Sequence, residues 1–292
     1  MKKKLLLSIF AVLALLATDE SIAAAQRGVL RFAITSAVAS DPSFNNYREL
    51  TNYIAKRVGR KAVFISGLTY SQVDNLFMKG DADVGFLCNA HFARRKDVVG
   101  FVPVAAPIIS GHKRPKFQVY IIVHKDSGLK SLDDLRGRSV DFADPLSTTS
   151  IYAAYMLRTK NTTIKSYFGK AVFSGSHDMT IELVARKMVD AGFIDGHIWD
   201  YQDKMRSPYS SETRVIHKSP DFTVPPVVVS KTTPEWLRMK LKDILLSMNK
   251  DPAGMEILNK LRIDRFVVIS ASDYQDVSRM YNTVGGSLQV LN

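Results

Sequence analysis

An alternation of short apolar runs with amphipathic helical stretches constrains this chain more than any other feature. Residues 29–34 form a compact apolar run that reads as a buried strand. Residues 42–58 then repeat at helical spacing, with Tyr47, Leu50, Ile54 and Val58 on one face and Gly59 as a stop. A strand over 62–65, a helix over 71–79 ended by Gly80, and a strand over 82–87 continue the rhythm. Strands that alternate with helices in this way predict a parallel sheet with crossover helices.

A second alternating set follows. Residues 117–124 are strongly strand-like, and 126–137, with Leu129, Leu132 and Leu135, read as a short helix and turn. Strands are predicted over 139–142, 171–174 and 191–194, with helices over 150–158 and 178–188. Residues 227–229 read as a strand returning toward the first set. The remainder is mostly helical, over 236–248 and 254–261, and nothing in the chain repeats. The expected fold class is therefore α/β with two lobes: 26–115 with 226–292 as the first, and 116–225 inserted as the second. Ligands of open α/β sheets bind beyond the carboxyl ends of strands, and two lobes joined by crossing strands can close on a ligand by hinge motion.

The first 25 residues read as an address rather than part of this fold. Lys2, Lys3 and Lys4 precede thirteen mostly apolar residues (5–17), and Ala23-Ala24-Ala25 supplies the small residues of a cleavage site. The apolar run is short of the roughly 20 residues that span a bilayer. Cleavage near Gln26 is expected, and the one cysteine, Cys88, leaves no lipid attachment behind the run. A soluble periplasmic protein is the expectation. With 46% hydrophobic residues the chain is not a disordered one. A single cysteine excludes an internal disulfide and any zinc site of several thiolates. The net charge of +12 suits nucleic acid, a membrane surface or anionic ligands. The basic residues are scattered, however, with no run longer than Arg94-Arg95-Lys96 and no stripe interleaved with aromatics, which argues against nucleic acid.

The strongest chemical signal is Ser147-Thr148-Thr149-Ser150, preceded by Asp144-Pro145 and placed between a predicted strand and helix. The first N–H groups of a helix lack intrahelical partners, and with the helix dipole they favour an anion. Any one hydroxyl there is explained by capping; four in succession point to a site for a tetrahedral oxyanion. A second segment, Ser174-Gly175-Ser176-His177-Asp178, also lies between strand and helix, where His177 can donate to an oxyanion or stand in a solvated loop with Asp178 as the cap. Catalysis finds less support. The chain has no Gly-x-Ser-x-Gly and no His-Glu-x-x-His, Asp195-Gly196-His197 is a weak metal pattern, and Cys88 would need a histidine such as His91 as its base. No enzyme activity, cofactor or metal is expected.

From Tyr120 through Lys125-Asp126-Ser127, Leu132 to Gly137, Phe142, Asp144-Pro145, Ser147-Thr148-Thr149, Ser176-His177-Asp178 and Val189-Asp190-Ala191, the chain resembles the periplasmic phosphonate/phosphite/phosphate-binding proteins of ABC importers, the PhnD-like family. Asn249 to Gly254 and Tyr274 resemble the family's C-terminal helices. The resemblance covers roughly residues 28–282. It implies a type II solute-binding fold with a cleft between lobes, and an oxyanion held by Ser147, Thr148 and Thr149, with His177, Tyr70 and Tyr120 as further contacts. The protein would capture a small oxyanion by hinge closure and deliver it to an ABC permease; a periplasmic sensor partner of a membrane histidine kinase, or a secreted hydrolase, are the alternatives. Three departures matter. Ser150 stands where the family has Gly. Cys88-Asn89-Ala90 stands where Gly-Pro is common, and Asn89 joins the candidate contacts. Of the acidic positions that hold a ligand amine, one falls at Val224-Pro225-Pro226 without a carboxylate and the other near Trp199, where Asp200 is the candidate. An amine without carboxylates is poorly paired, so a small oxyanion is expected in preference to an aminoalkylphosphonate.

Overall fold

The computed structural model describes residues 28–35 and 41–288, so the address segment 1–25 lies outside the described residues. The strands are β1 (Val29–Thr35), β2 (Lys61–Leu68), β3 (Val84–Phe86), β4 (Phe101–Ile109), β5 (Lys116–Phe117), β6 (Val119–His124), β7 (Ser139–Phe142), β8 (Lys170–Phe173), β9 (Ala191–Asp195), β10 (Thr213–Lys218), β11 (Phe222–Thr223), β12 (Val227–Ser230) and β13 (Ile263–Val267). The α-helices are α1 (Asp41–Val58), α2 (Tyr70–Lys79), α3 (Asn89–Arg95), α4 (Thr148–Arg158), α5 (Ile164–Tyr167), α6 (His177–Ala185), α7 (Gly196–Lys204), α8 (Glu235–Ser247), α9 (Pro252–Leu261) and α10 (Gln275–Leu288).

Six strands build the first sheet in the order β13-β4-β12-β3-β1-β2, and five build the second in the order β10-β6-β9-β7-β8. Both sheets are mixed, which corrects the expectation of parallel ones. β1 runs parallel to β2 and β3, and β7 runs parallel to β8 and β9. β12 pairs antiparallel with β3 and β4, β13 with β4, and β6 with β9 and β10. The antiparallel members are largely the strands that periodicity overlooks. β4 carries Pro103 and Pro107, which cannot donate to a ladder and demote a run to an edge. Yet it lies inside the sheet, with Pro103 opposite Val228 beside an irregularity in register and Pro107 opposite Phe266.

The predicted strand over 117–124 breaks at Gln118. Its first part, β5, leaves both large sheets and pairs with β11, placing Phe117 opposite Phe222 and Lys116 opposite Thr223. The chain's two crossings between the sheets therefore run side by side as a short ladder. The helix and turn expected over 126–137 contract to one 3₁₀ turn at Asp133–Leu135.

The burial pattern follows from composition. β6 (VYIIVH) is buried at all six positions, as an interior strand covered on both faces should be. α1 buries Leu50, Tyr53 and Ile54 against the first sheet, each such side chain worth roughly 1.5–3 kcal/mol of burial. Thr69 and Gln72 form a capping box at the start of α2, and Gly80 ends it at φ 73°, where a side chain would be strained. α10 packs on both α3 and α4, so one helix braces elements attached to different sheets.

Candidate functional site

The loops after β7 and β8 lie side by side at the carboxyl edge of the second sheet, where Gly175 N–H donates to the carbonyl of Ala143 at 3.0 Å. The first loop carries the hydroxyl turn and the second carries His177. Asp141 of β7 fixes the second loop, accepting from Ser174 Oγ at 2.7 Å and Thr180 Oγ1 at 2.5 Å. Burial raises the Asp141 carboxyl to about 6 against those hydrogen bonds.

Ser147 is the N-cap of α4, its extended backbone letting Oγ accept from Ser150 N–H at 3.3 Å. All four hydroxyl residues are buried. Ser147 Oγ and Ser150 Oγ both donate to the carbonyl of Asp144, at 2.8 and 2.6 Å, and Thr149 Oγ1 lies 2.7 Å from Ser147 Oγ. Thr148 turns the other way and donates to Asn89 Oδ1. Asn89 opens α3 on the first-sheet side, and its Nδ2 donates to the Thr223 carbonyl of β11 at 2.9 Å. The buried Cys88 sulfur lies 3.7 Å from Thr148 Oγ1. Thr148, Asn89 and Thr223 thus join the second sheet, the first sheet and the crossing ladder at one point.

Tyr70, the first residue of α2, stacks on His91 with ring centroids 4.5 Å apart. Among the described residues its buried hydroxyl has no hydrogen-bond partner of good geometry. Burial first, then Cys88 and Asp144 nearby, push that hydroxyl well above its ordinary pKa. His91 engages Asp74 rather than Cys88: its Nε2 meets Asp74 at 2.7 Å, the Cys88 sulfur contacts Asn89 and Thr148, and burial holds the ring below its ordinary pKa despite that carboxylate. The sulfur therefore has no imidazole base from this residue.

A second cluster lies in the cleft between the sheets, a space of about 360 Å³ whose lining includes Tyr47, Phe86, His112, Asp195, His197 and Asp200. His177 is the first residue of α6 and is buried, with Nδ1 unpartnered among the described residues; the cap is Ser176, which accepts from Met179 N–H at 3.2 Å, so the expected cap Asp178 is the second residue of the helix, within its first turn. Burial depresses the His177 pKa, opposed by Asp195 and Asp178. Asp195 caps α7 through His197 N–H at 2.8 Å, and burial raises its carboxyl to about 6. The same burial, with His112 close by, takes His197 down to about 4, and burial with Asp195 close by pushes Tyr47 up to about 12. Asp195-Gly196-His197 is thus a helix cap, and among the described residues no group of three or more His, Cys, Asp or Glu is arranged to hold a metal.

Tyr120 and Asp200 stand together, with Tyr120 Oη donating to Asp200 Oδ2 at 3.1 Å and accepting from Lys218 Nζ at 3.0 Å. Gly196 permits this: a Cβ there would lie 2.6 Å from the Tyr120 ring. Among the described residues no hydrogen bond joins this trio to the hydroxyl turn. The structure therefore gathers Asn89 with Ser147, Thr148 and Thr149, sets Tyr70 beside Cys88, and puts Asp200 at the cleft. Val224, Pro225 and Pro226, the position without a carboxylate, form an apolar stretch of the same cleft. Tyr47 had no recognisable spacing to Asp195 and His197, because it stands on α1 against the first sheet while they stand at the end of β9 and the start of α7.

Comparison with known proteins agrees with this architecture. The family model for the periplasmic substrate-binding protein of phosphonate ABC transporters matches residues 32–274. A probable phosphite-binding protein of an ABC transporter from Prochlorococcus marinus is 25% identical over 178 residues, 56% of this chain and 60% of the relative. The phosphonates-binding periplasmic protein of Escherichia coli is 28% identical over 163 residues, 54% of this chain and 48% of the relative. The chain thus spans about half to three fifths of the length of these curated relatives. A Prochlorococcus marinus binding protein solved with methylphosphonate superposes with a TM-score of 0.79 at 21% identity, covering 88% of this chain and 98% of the other. That likeness shows a two-lobed periplasmic-binding fold. With the match running from β1 to the start of α10, the chain belongs to the family of periplasmic substrate-binding proteins of phosphonate ABC transporters.

Proposed function

We propose that this protein captures a small phosphorus oxyanion, of the phosphonate, phosphite or phosphate class, and presents it to an ABC permease. The observation that carries the reading is the buried hydroxyl turn at the N-terminus of α4, facing Asn89 from the other side of the cleft. Its hydroxyls and the first N–H groups of α4 are short donors at the positive end of a helix, the environment a tetrahedral anion needs. The relatives are a probable phosphite-binding protein, a phosphonates-binding protein and one solved with methylphosphonate, which supports this ligand class. Binding and closure, rather than catalysis, are the work assigned to the site.

The lobe limits 26–115 with 226–292, and 116–225, belong to this reading; the membership of the two large sheets supports them. So does export to the periplasm with cleavage near Gln26, for which mass analysis of the exported protein is the check: an intact Met1 overturns it.

A thermal-shift panel of phosphate, phosphite, methylphosphonate, sulfate and aminoethylphosphonate tests the function. At about 100 times its Kd, a ligand adds roughly 2.7 kcal/mol of stability. At least one phosphorus anion should shift the transition. A panel flat throughout refutes the anion reading.

A further inference from the structure

Arg94 is the unmatched cation of this region. Its two neighbours are paired, Arg95 with Asp74 at 2.6 Å and Lys96 with Asp97, whereas no carboxylate among the described residues forms an ion pair with Arg94. Its Nε is buried with no hydrogen-bond partner, the only arginine nitrogen among the described residues in that state. The guanidinium carbon sits 5.7 Å from the ring centroid of Tyr281 on α10, the helix that packs on both α3 and α4. The Tyr70 hydroxyl is likewise buried and unpartnered. Buried polar groups are almost always hydrogen-bonded, and those that are not call for an explanation. Here the unmatched charged donor stands on α3, the helix that Asn89 opens against Thr148, and the Tyr70 hydroxyl stands beside Cys88.

The titratable groups that Arg94 meets are Tyr70, His91, Asp144 and Tyr281, with Cys88 beside Tyr70. The charge of Arg94 bears on both Tyr70 and Asp144, holding each down against burial. Asp144 does not consume that charge, since no ion pair links them and its Oδ1 accepts from Leu146 N–H at 2.7 Å. His91 is held neutral by burial, and the hydroxyls and Asn89 carry no charge. A dianion at the hydroxyl turn would thus have Arg94 as its cation.

We infer that Arg94 supplies the fixed positive charge for the anion held at the hydroxyl turn and makes the site prefer a dianion to a monoanion. This rests on the oxyanion function proposed above. Without Arg94 the remaining donors are neutral and hold either ionisation state; a fixed cation in a low-dielectric pocket favours the more charged ligand.

Calorimetric titration with methylphosphonate, below and above its second ionisation, tests the inference on wild type, Arg94→Gln, Arg94→Lys and Lys96→Gln. Wild type should bind the dianion more tightly. Arg94→Gln should lose about 10- to 100-fold on the dianion, from one charged hydrogen bond, and much less on the monoanion. Arg94→Lys should recover part of the preference, and Lys96→Gln should match wild type. Thermal unfolding of each unliganded variant verifies folding. An Arg94→Gln protein with wild-type affinity and preference overturns the inference alone. Equal loss on both ionisation states also overturns it, assigning Arg94 to the balance of Asp144. A wild type that binds no phosphorus anion overturns the proposed function and this inference together.

Discussion

Thr148 donates its hydroxyl to the side-chain carbonyl of Asn89, and the two residues belong to helices attached to different sheets. The bond closes the cleft at the point where the anion is proposed to sit. Each hydrogen bond to a charged ligand group contributes roughly 1.5–3 kcal/mol. Thr148→Ala should therefore weaken the best anion of the panel by about one to two orders of magnitude and leave the fold intact. Calorimetric titration measures this; unchanged affinity would make the turn no more than a helix start.

Asn89 also has a structural duty. Its Nδ2 satisfies the carbonyl of Thr223 in the crossing ladder. Asn89→Ala leaves buried polar partners unpaired on both sides and should cost about 1–3 kcal/mol. Urea unfolding of the unliganded protein reads this cost directly, and a loss well under 1 kcal/mol would show that the ladder relaxes around the substitution.

Ser147 and Ser150 should separate capping from binding. Ser147→Ala removes the N-cap of α4 and should lower stability by about 1 kcal/mol as well as affinity. Ser150 spends its hydroxyl on the Asp144 carbonyl, so Ser150→Ala should cost less affinity than Thr148→Ala. Paired thermal denaturation and titration of the variants decide the ranking.

Asp195 predicts a pH dependence of stability. Its folded pKa, about 6, lies above the unfolded value of ~3.9. The buried acid therefore favours folding fully below the unfolded pKa, and that contribution is lost as pH rises through about 6. Asp195→Asn keeps a capping side chain and should be more stable than wild type near pH ~8 by up to about 2 kcal/mol, with the gap closing toward pH ~4. His177 acts in the opposite sense: its depressed pKa means stability is lost as pH falls below its unfolded value. Asp195→Asn also removes a carboxylate that opposes this depression, so His177 adds to the closing of the gap toward low pH. A gap independent of pH would reject the assignment.

Gly196 is the steric condition for the Tyr120–Asp200–Lys218 trio. A methyl group there would meet the Tyr120 ring at 2.6 Å and the Gln118 carbonyl at 2.8 Å. Gly196→Ala should destabilise by about 1–3 kcal/mol, as overpacking does, and alter tyrosine fluorescence. Wild-type stability and spectrum would show that the ring moves aside freely.

Local chemistry along the chain already determined much of this. The apolar face of α1, the buried run of β6, and the hydroxyl turn between strand and helix depend on neighbours within a few residues, so each is legible in order. Tertiary structure decided what depends on distant partners. Pro103 and Pro107 conceal β4, because only its pairing with β12 and β13 shows where a missing N–H is tolerated. β5 and β11 are two residues each, too short for any periodicity, yet their pairing fixes where the two crossings run. Ser176 rather than Asp178 caps α6, a choice between residues two apart that rests on the extended backbone at Ser176. Arg94 sits in a basic run that reads as solvated surface, and only the lack of a hydrogen-bond or ion-pair partner for its buried nitrogen among the described residues sets it apart from Arg95. Asp195 and Tyr47 are separated by 148 residues and acquire their raised pKa values only when packing brings both into the cleft and strips most of the water from them. Periodicity records which face of an element is apolar; it carries no information about which other element covers that face, and burial, pairing and charge at the site all follow from the covering.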